Sequence, residues 1–291
     1  MKSCRTLILI AMALSSPAIL AIEKSDSETQ ASKGAIQSGD EAQAKFYQAR
    51  SLLTGMNGET DPARALVLMR ESASLGYPDA IGGLGYFYAM GVEVPKDLSV
   101  AADWFRKGAE KGSMKSKLNL ALAIANGRGV PKDEKEGLLL LDEVAASGLP
   151  EAVYANGETY YFGQFGRNVD MQKAFPYFLQ AAKAGNRDAQ NTLGMMYREG
   201  LGTEKNDTEA FQWLELAAKR GHLKAQSNLA HTLGLETPNR ERRILALKWA
   251  FVAYDRKEVM TVKTLNELLP SLPPDEVAEA RRAADQYTPA P

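Results

Sequence analysis

This 291-residue sequence predicts an all-α fold: an αα-superhelix, or solenoid, of about six helix-pair repeats closed by a C-terminal helical cap. Three observations predict it. Glycines Gly76, Gly112, Gly148, Gly185 and Gly221 recur at spacings of 36, 36, 37 and 36 residues. Ala44, Ala80, Ala152, Ala189 and Ala225 keep the same register, with Ser116 in the one gap. Large side chains do likewise at Leu68, Trp104, Leu140, Tyr177, Trp213 and Trp249. One period shared by three residue classes is the signature of stacked supersecondary units, each burying its apolar face against the next.

Within a repeat the apolar spacing is helical. Ala80, Leu84 and Tyr88 stand at i, i+4 and i+8 and share one face. Gly85 recurs as Ala121, Gly157, Gly194 and Ala230, so another helix backbone is expected to pass close to this position. This helix stops at Gly91, and Val-Glu-Val-Pro95-Lys-Asp97 makes a turn. A second helix carries Ala101, Trp104, Phe105 and Ala109 and ends at Gly112, a residue suited to a left-handed helix cap. No alternating strand pattern competes with this reading. The register places the tryptophans Trp104, Trp213 and Trp249 and the alanines in the core.

The turn motifs carry a family resemblance. Ala125-Asn-Gly127-Arg-Gly129-Val-Pro131-Lys-Asp133 and Gly200-Leu-Gly202-Thr-Glu-Lys-Asn-Asp207, each flanked by such helices, resemble the Gly-x-Gly-Val-Pro-x-Asp turn of Sel1-like repeats. That family is related to the tetratricopeptide repeats. The resemblance covers roughly residues 41–254 and implies right-handed stacking of antiparallel helix pairs. Three stretches depart from it: residues 41–76 are degenerate, residues 152–185 carry one extra residue at Gly163-Gln-Phe-Gly-Arg-Asn-Val-Asp170, and the glycine turn is lost after Gly234. Beyond the repeats, Val259 to Leu269 reads as one helix, and Pro273-Pro274-Asp275-Glu276 starts another with acids in its first turn. Residues 255–291 are therefore expected to be a cap rather than a second domain.

The N-terminus reads as an export signal. Lys2 and Arg5 precede the apolar run Leu7 to Leu14, too short to span a membrane but suited to a signal peptide. Cleavage is expected after Ala21, with Ala18 as the alternative; Cys4 precedes the apolar run, which argues against lipidation. Residues 1–21 are thus a signal peptide and 22–40 a polar tether, and the expected location is the periplasm with no membrane anchor after cleavage. Cleavage would remove the sole cysteine, leaving a chain stabilised by packing alone.

Composition excludes several classes of chemistry. Lys and Arg total 35 against 36 Asp and Glu, so no global basic field recruits nucleic acid. One cysteine and two histidines, His222 and His231, give no metal-site spacing, and neither a metal nor any other cofactor is expected. Gly127-Arg-Gly129-Val-Pro-Lys132 lacks the preceding strand and the following Ser or Thr of a phosphate loop. There is no Gly-x-Ser-x-Gly nucleophile turn and no distinguishable acid–base pair, so no catalysis is expected.

In tetratricopeptide-like solenoids the first helix of each pair lines a concave groove, and the resemblance implies the same here. Off the core stripe these helices carry Tyr86 and Met90, then Leu122 and Asn126, then Tyr154, Glu158, Tyr161 and Phe162, then Met195 and Arg198, and finally His231. Tyrosine, methionine and arginine are enriched at protein interfaces, which makes these the candidate partner-binding residues. Packing of Tyr161 and Phe162 against the next repeat is the alternative. The expected function is a non-enzymatic, protein-binding solenoid that is a monomer when unbound. Sel1-like proteins with cleavable signals resemble immunity partners of secreted phospholipase effectors, which implies a toxin as partner. An envelope scaffold or regulatory adaptor is the alternative role. A β-lactam-binding or hydrolysing enzyme, suggested by cysteine-rich relatives, would need a nucleophile that the sequence does not offer.

Overall fold

The computed structural model describes residues 41–289 apart from 56–57, 59, 235–238, 259–260, 262–264 and 267–268. The expected signal peptide and tether lie outside the described residues, which contain thirteen α-helices and no strand. Six consecutive pairs run α1 Glu41–Thr54 with α2 Pro62–Ser74, α3 Pro78–Met90 with α4 Leu98–Glu110, and α5 Met114–Asn126 with α6 Glu134–Ala146. They continue as α7 Pro150–Phe162 with α8 Met171–Lys183, α9 Arg187–Glu199 with α10 Asp207–Lys219, and α11 Leu223–Leu233 with α12 Arg240–Asp255. A short 3₁₀ turn, Leu269–Ser271, precedes α13, Pro274–Asp285. The chain forms two compact units, residues 41–159 with 163–168, and residues 160–162 with 169–289.

The turn motif has a mechanical reading. Gly91, Gly127, Gly163 and Gly200 end the first helices in the left-handed conformation, with φ between 65° and 72°. Six or seven residues on, a side chain caps the second helix: Asp97 accepts from the Ser99 and Val100 amides, Asp133 from Glu136 and Asp170 from Lys173. The bond from Lys173 is the main reason the Asp170 carboxyl is held below its ordinary pKa. In the fifth pair the cap is Asn206 rather than the neighbouring Asp207. Each cap residue also donates its own amide to a carbonyl of the first helix, Asp97 to Tyr88, Asp133 to Ile124, Asp170 to Tyr160 and Asn206 to Tyr197. One short motif thus ends one helix, fixes the reversal and starts the next.

The recurrent small residue behaves as the sequence requires. A Cβ on Gly85 would stand 2.6 Å from the Phe105 ring and 2.8 Å from the Ala101 carbonyl oxygen. At Gly194 the corresponding neighbours are Leu214 at 2.6 Å and the Ala210 carbonyl at 3.1 Å. At the matching position Ala230 is buried, in a cluster that includes Ala250.

The core itself is displaced by one residue from its expected place. Met69, Phe105, Leu141, Phe178, Leu214 and Ala250 are buried, each directly after Leu68, Trp104, Leu140, Tyr177, Trp213 and Trp249. Of that second series only Trp249 is fully buried; Trp104 and Trp213 are half-buried, which corrects the expectation that all three tryptophans are core. Lys107 lies 4.5 Å over the Trp104 ring, and the Trp213 indole N–H donates to Glu209 at 3.0 Å. Both contacts suit an amphipathic ring at the boundary between core and water.

The cap continues the repeat register. Lys257, 36 residues after Gly221, ends α12 in the same left-handed conformation with φ 59°. Glu258 then accepts from the Thr261 amide at 2.8 Å, as His222 accepts from Ala225 one repeat earlier. Leu265, 36 residues after the buried Leu229, is itself fully buried. The repeat register therefore continues through Glu258, Thr261 and Leu265; much of the expected 259–269 helix lies outside the described residues, and Leu269 already belongs to the 3₁₀ turn. Lysine in a left-handed conformation is strained, so Lys257→Gly is expected to raise unfolding stability by about 0.5 to 1 kcal/mol in a thermal or denaturant melt.

An ion-pair cluster locks α13 onto α12. Arg243 donates to both oxygens of Glu276 at 2.6 Å, and Arg240 reaches Glu279 at 2.8 Å and Asp275 at 3.3 Å. The Arg243 bonds hold the Glu276 carboxyl below its ordinary pKa against the opposing effect of burial. A depressed carboxyl contributes stability above its unfolded pKa and loses it as pH falls through the folded value. The cap is therefore expected to loosen below the ordinary glutamate range, about pH 4.3. Hydrogen exchange in α13 against pH checks this, and Glu276→Gln should flatten the response.

Candidate protein-binding face

The sequence-selected residues all lie on first helices, but they differ in exposure. In the first unit, Met90 ends α3 and is 47% exposed. Tyr86, one turn earlier, is half-buried with its ring edge-on to the buried Phe87 at 6.1 Å. Leu122 at 9% and Tyr154 at 8% exposure are buried, so their side chains belong to the packed interior, not to an open surface. Asn126 turns back to donate to the Leu122 carbonyl at 2.8 Å, and Glu158 is half-buried.

In the second unit, Tyr161 and Phe162 meet edge-on at 4.8 Å, and Tyr161 also lies 5.8 Å from the buried Phe178 of α8. Burial, with a smaller contribution from Glu199, pushes the Tyr161 hydroxyl pKa up. Tyr161 therefore packs on the second helix of its own pair and supports the half-buried Phe162. Met195 is half-buried against the C-terminal core, Arg198 pairs with Glu199 at 2.8 Å, and His231 is exposed. Met90, in the first unit, and His231, in the second, are the two exposed members of the set.

One of the two histidines has a structural role. His222 caps α11: its Nδ1 accepts from the Ala225 amide at 3.0 Å and its Nε2 meets Asp188 at 2.9 Å. Asp79 and Ser113 form the equivalent pair three repeats earlier, where Ser113 donates to Asp79 and accepts from the Ser116 amide. Among the described residues no three His, Cys, Asp or Glu side chains cluster as a metal ion would require. No helix among them is long and apolar enough to cross a membrane.

The one-residue insertion has a definite role that the sequence did not signal. Arg167, in the enlarged α7–α8 turn, lies across the Asp142 carboxylate of α6 at 2.6 and 2.8 Å. It also donates to the side chains of Asn156 and Thr159. This network is a brace inside the first unit, and its polar groups are mutually satisfied. Within each unit the first helices thus present a mixture of apolar and polar positions.

Comparison with known proteins agrees with this geometry. The Sel1 repeat family model matches residues 42–77, 78–113, 115–149, 150–186 and 187–222. DAP3-binding cell death enhancer 1 of Rattus norvegicus is 26% identical over 247 residues, 71% of this chain and 48% of that protein. The chain thus spans about half the length of that curated relative. A protective antigen present in uropathogenic Escherichia coli strains, with an SLR fold, is 26% identical with a TM-score of 0.60, over 88% of this chain and 56% of that chain. An immunity protein from Pseudomonas aeruginosa is 20% identical with a TM-score of 0.55, over 84% and 92% of the two chains, a likeness of fold.

Proposed function

We propose a function from the premise that this chain belongs to the Sel1 repeat family: it is an exported immunity protein that neutralises a secreted antibacterial effector of phospholipase type. The repeats make it a protein-binding scaffold, and the finer reading rests on two supports. One is the N-terminal sequence, whose charged start, short apolar run and small residues suit export to the periplasm. The other is the fold shared with a Pseudomonas aeruginosa immunity protein. The observation that carries the binding mode is that caps and core fix the first helices while Met90 stays exposed in the first unit and His231 in the second. Helices held in this way are ordered before binding, so little conformational entropy is lost on association. The mechanism is occlusion by a rigid surface and involves no chemical step.

The experiment is protection. Cells expressing the full chain are challenged with secreted phospholipase effectors delivered to the periplasm, alongside cells expressing a version without residues 1–21. Survival only with the leader intact, together with a one-to-one complex on gel filtration, is the expected result. Equal survival without the leader contradicts the periplasmic site of action, and no protection with an unchanged elution volume contradicts the immunity role.

A further inference from the structure

A second surface, separate from the candidate partner-binding residues, stands out by its charge. In the second unit, three successive inter-repeat turns, residues 183–188, 219–224 and 255–258, are joined by arginines that each reach into a neighbouring turn. Arg220 donates from Nη1 to the Gly185 carbonyl at 2.9 Å, and Arg256 donates from Nη1 to the Gly221 carbonyl at 2.6 Å. Arg187 returns the contact by donating to the Arg220 carbonyl at 2.8 Å. These bonds place guanidinium groups at the negative ends of α8 and α10, which orients the arginines and ties the turns into one strip.

The strip is strongly basic although the whole chain carries a net charge of −1. Its three turns contain seven Lys and Arg against three carboxylates. All three carboxylates are engaged: Asp188 with His222, Asp255 with Arg281, and Glu258 with the Thr261 amide. Lys183, Lys224 and Lys257, one on each turn, are exposed and make no ion pair among the described residues. The α9–α10 turn of the same unit, residues 198–209, has the opposite balance, with two cations and four acids. Charge is therefore segregated within the second unit.

From this we infer that the three-turn strip is a docking surface for an acidic segment of a partner protein. The arginines, held against turn carbonyls, add fixed positive charge, and the exposed lysines supply donors to carboxylates and long-range attraction. A polyphosphate or a membrane surface fits less well. Either would draw on a wide basic field, whereas this strip is a single line of turns on a chain of balanced charge. The strip includes none of the candidate partner-binding residues tested above, so its failure and that of the immunity reading are distinguishable.

The test measures binding of a fluorescein-labelled decaglutamate peptide to the full chain by anisotropy, at low and moderate salt. Association is expected at low salt and should weaken several-fold when the Debye length shrinks below about 8 Å. The triple variant Lys183→Glu, Lys224→Glu, Lys257→Glu should bind at least tenfold more weakly. The same three changes to glutamine should give an intermediate loss with an unchanged melting curve. A control reversal of Lys96, Lys111 and Lys135, exposed in the first unit, should leave binding intact. No binding at low salt overturns the inference, and so does equal binding by the reversed strip. Tighter association with phosphatidylglycerol vesicles or duplex DNA than with the peptide overturns it as well.

Discussion

Replacing Gly129 with alanine is expected to cost about 3 kcal/mol or more of unfolding stability, through left-handed strain combined with a backbone clash. Gly129 has φ 72°, and its Cβ would lie 2.0 Å from the carbonyl oxygen of Leu98 at the start of the preceding second helix. A backbone carbonyl cannot swing aside as a flexible side chain would, so the turn must lift from the helix it rests on. Gly202 repeats this arrangement in the second unit, with φ 69° and the Met171 carbonyl at 2.0 Å. Gly166 supplies the contrast: its φ is 79°, but nothing lies within 4 Å of its Cβ. Gly166→Ala should therefore show the conformational strain alone, about 1 to 2 kcal/mol. Chemical denaturation of Gly129→Ala and Gly166→Ala separates the two terms. Equal losses would mean that close packing of the turn contributes nothing.

The second large effect is expected at Phe178. Its side chain is fully buried, and truncation to alanine should cost about 3 to 5 kcal/mol by loss of buried apolar surface and creation of a cavity. Tyr177 is half-buried and stacked on Tyr160 at 5.8 Å, so Tyr177→Ala should cost clearly less. Paired melts of the two variants give the comparison. A larger loss at Tyr177 would restore the arrangement in which the most prominent periodic aromatics form the core.

That comparison also shows where the sequence was informative and where it was not. The period fixed repeat length, helix pairing and turn positions, because glycine and alanine report backbone demands directly. Gly85 and Gly194 announced the close approach of a second helix, and Phe105 and Leu214 are the residues that approach. Phase around the second helix was less legible. Adjacent positions are about 100° apart on a helix yet share the same 36-residue period, so periodicity cannot rank Trp104 against Phe105. Size favoured the tryptophans, while their need to place a polar edge near water kept two of the three at the boundary.

The continuation of the repeat register into the cap was not read from the sequence for a related reason. Its marker glycine is replaced by Lys257, which adopts the glycine conformation at a cost in strain. The insertion at Gly163 to Asp170 was visible as one extra residue, but nothing in the sequence tied Arg167 to Asp142, 25 residues earlier. On the first-helix face the register was legible while exposure was not. Leu122 and Tyr154 are buried because neighbouring helices set exposure, and one helix's spacing does not contain them.

The most direct test of the account is photo-crosslinking in cells from four positions of the full chain, each replaced singly by a photoreactive phenylalanine. Met90 and His231 sample the first-helix face, and the exposed Leu139 and Leu216 sample the second helices. One dominant adduct is expected from Met90 and from His231 in the periplasmic fraction, and none from the other two positions. Adducts confined to Leu139 and Leu216 would contradict the binding face, and adducts found only in the cytosol would contradict export.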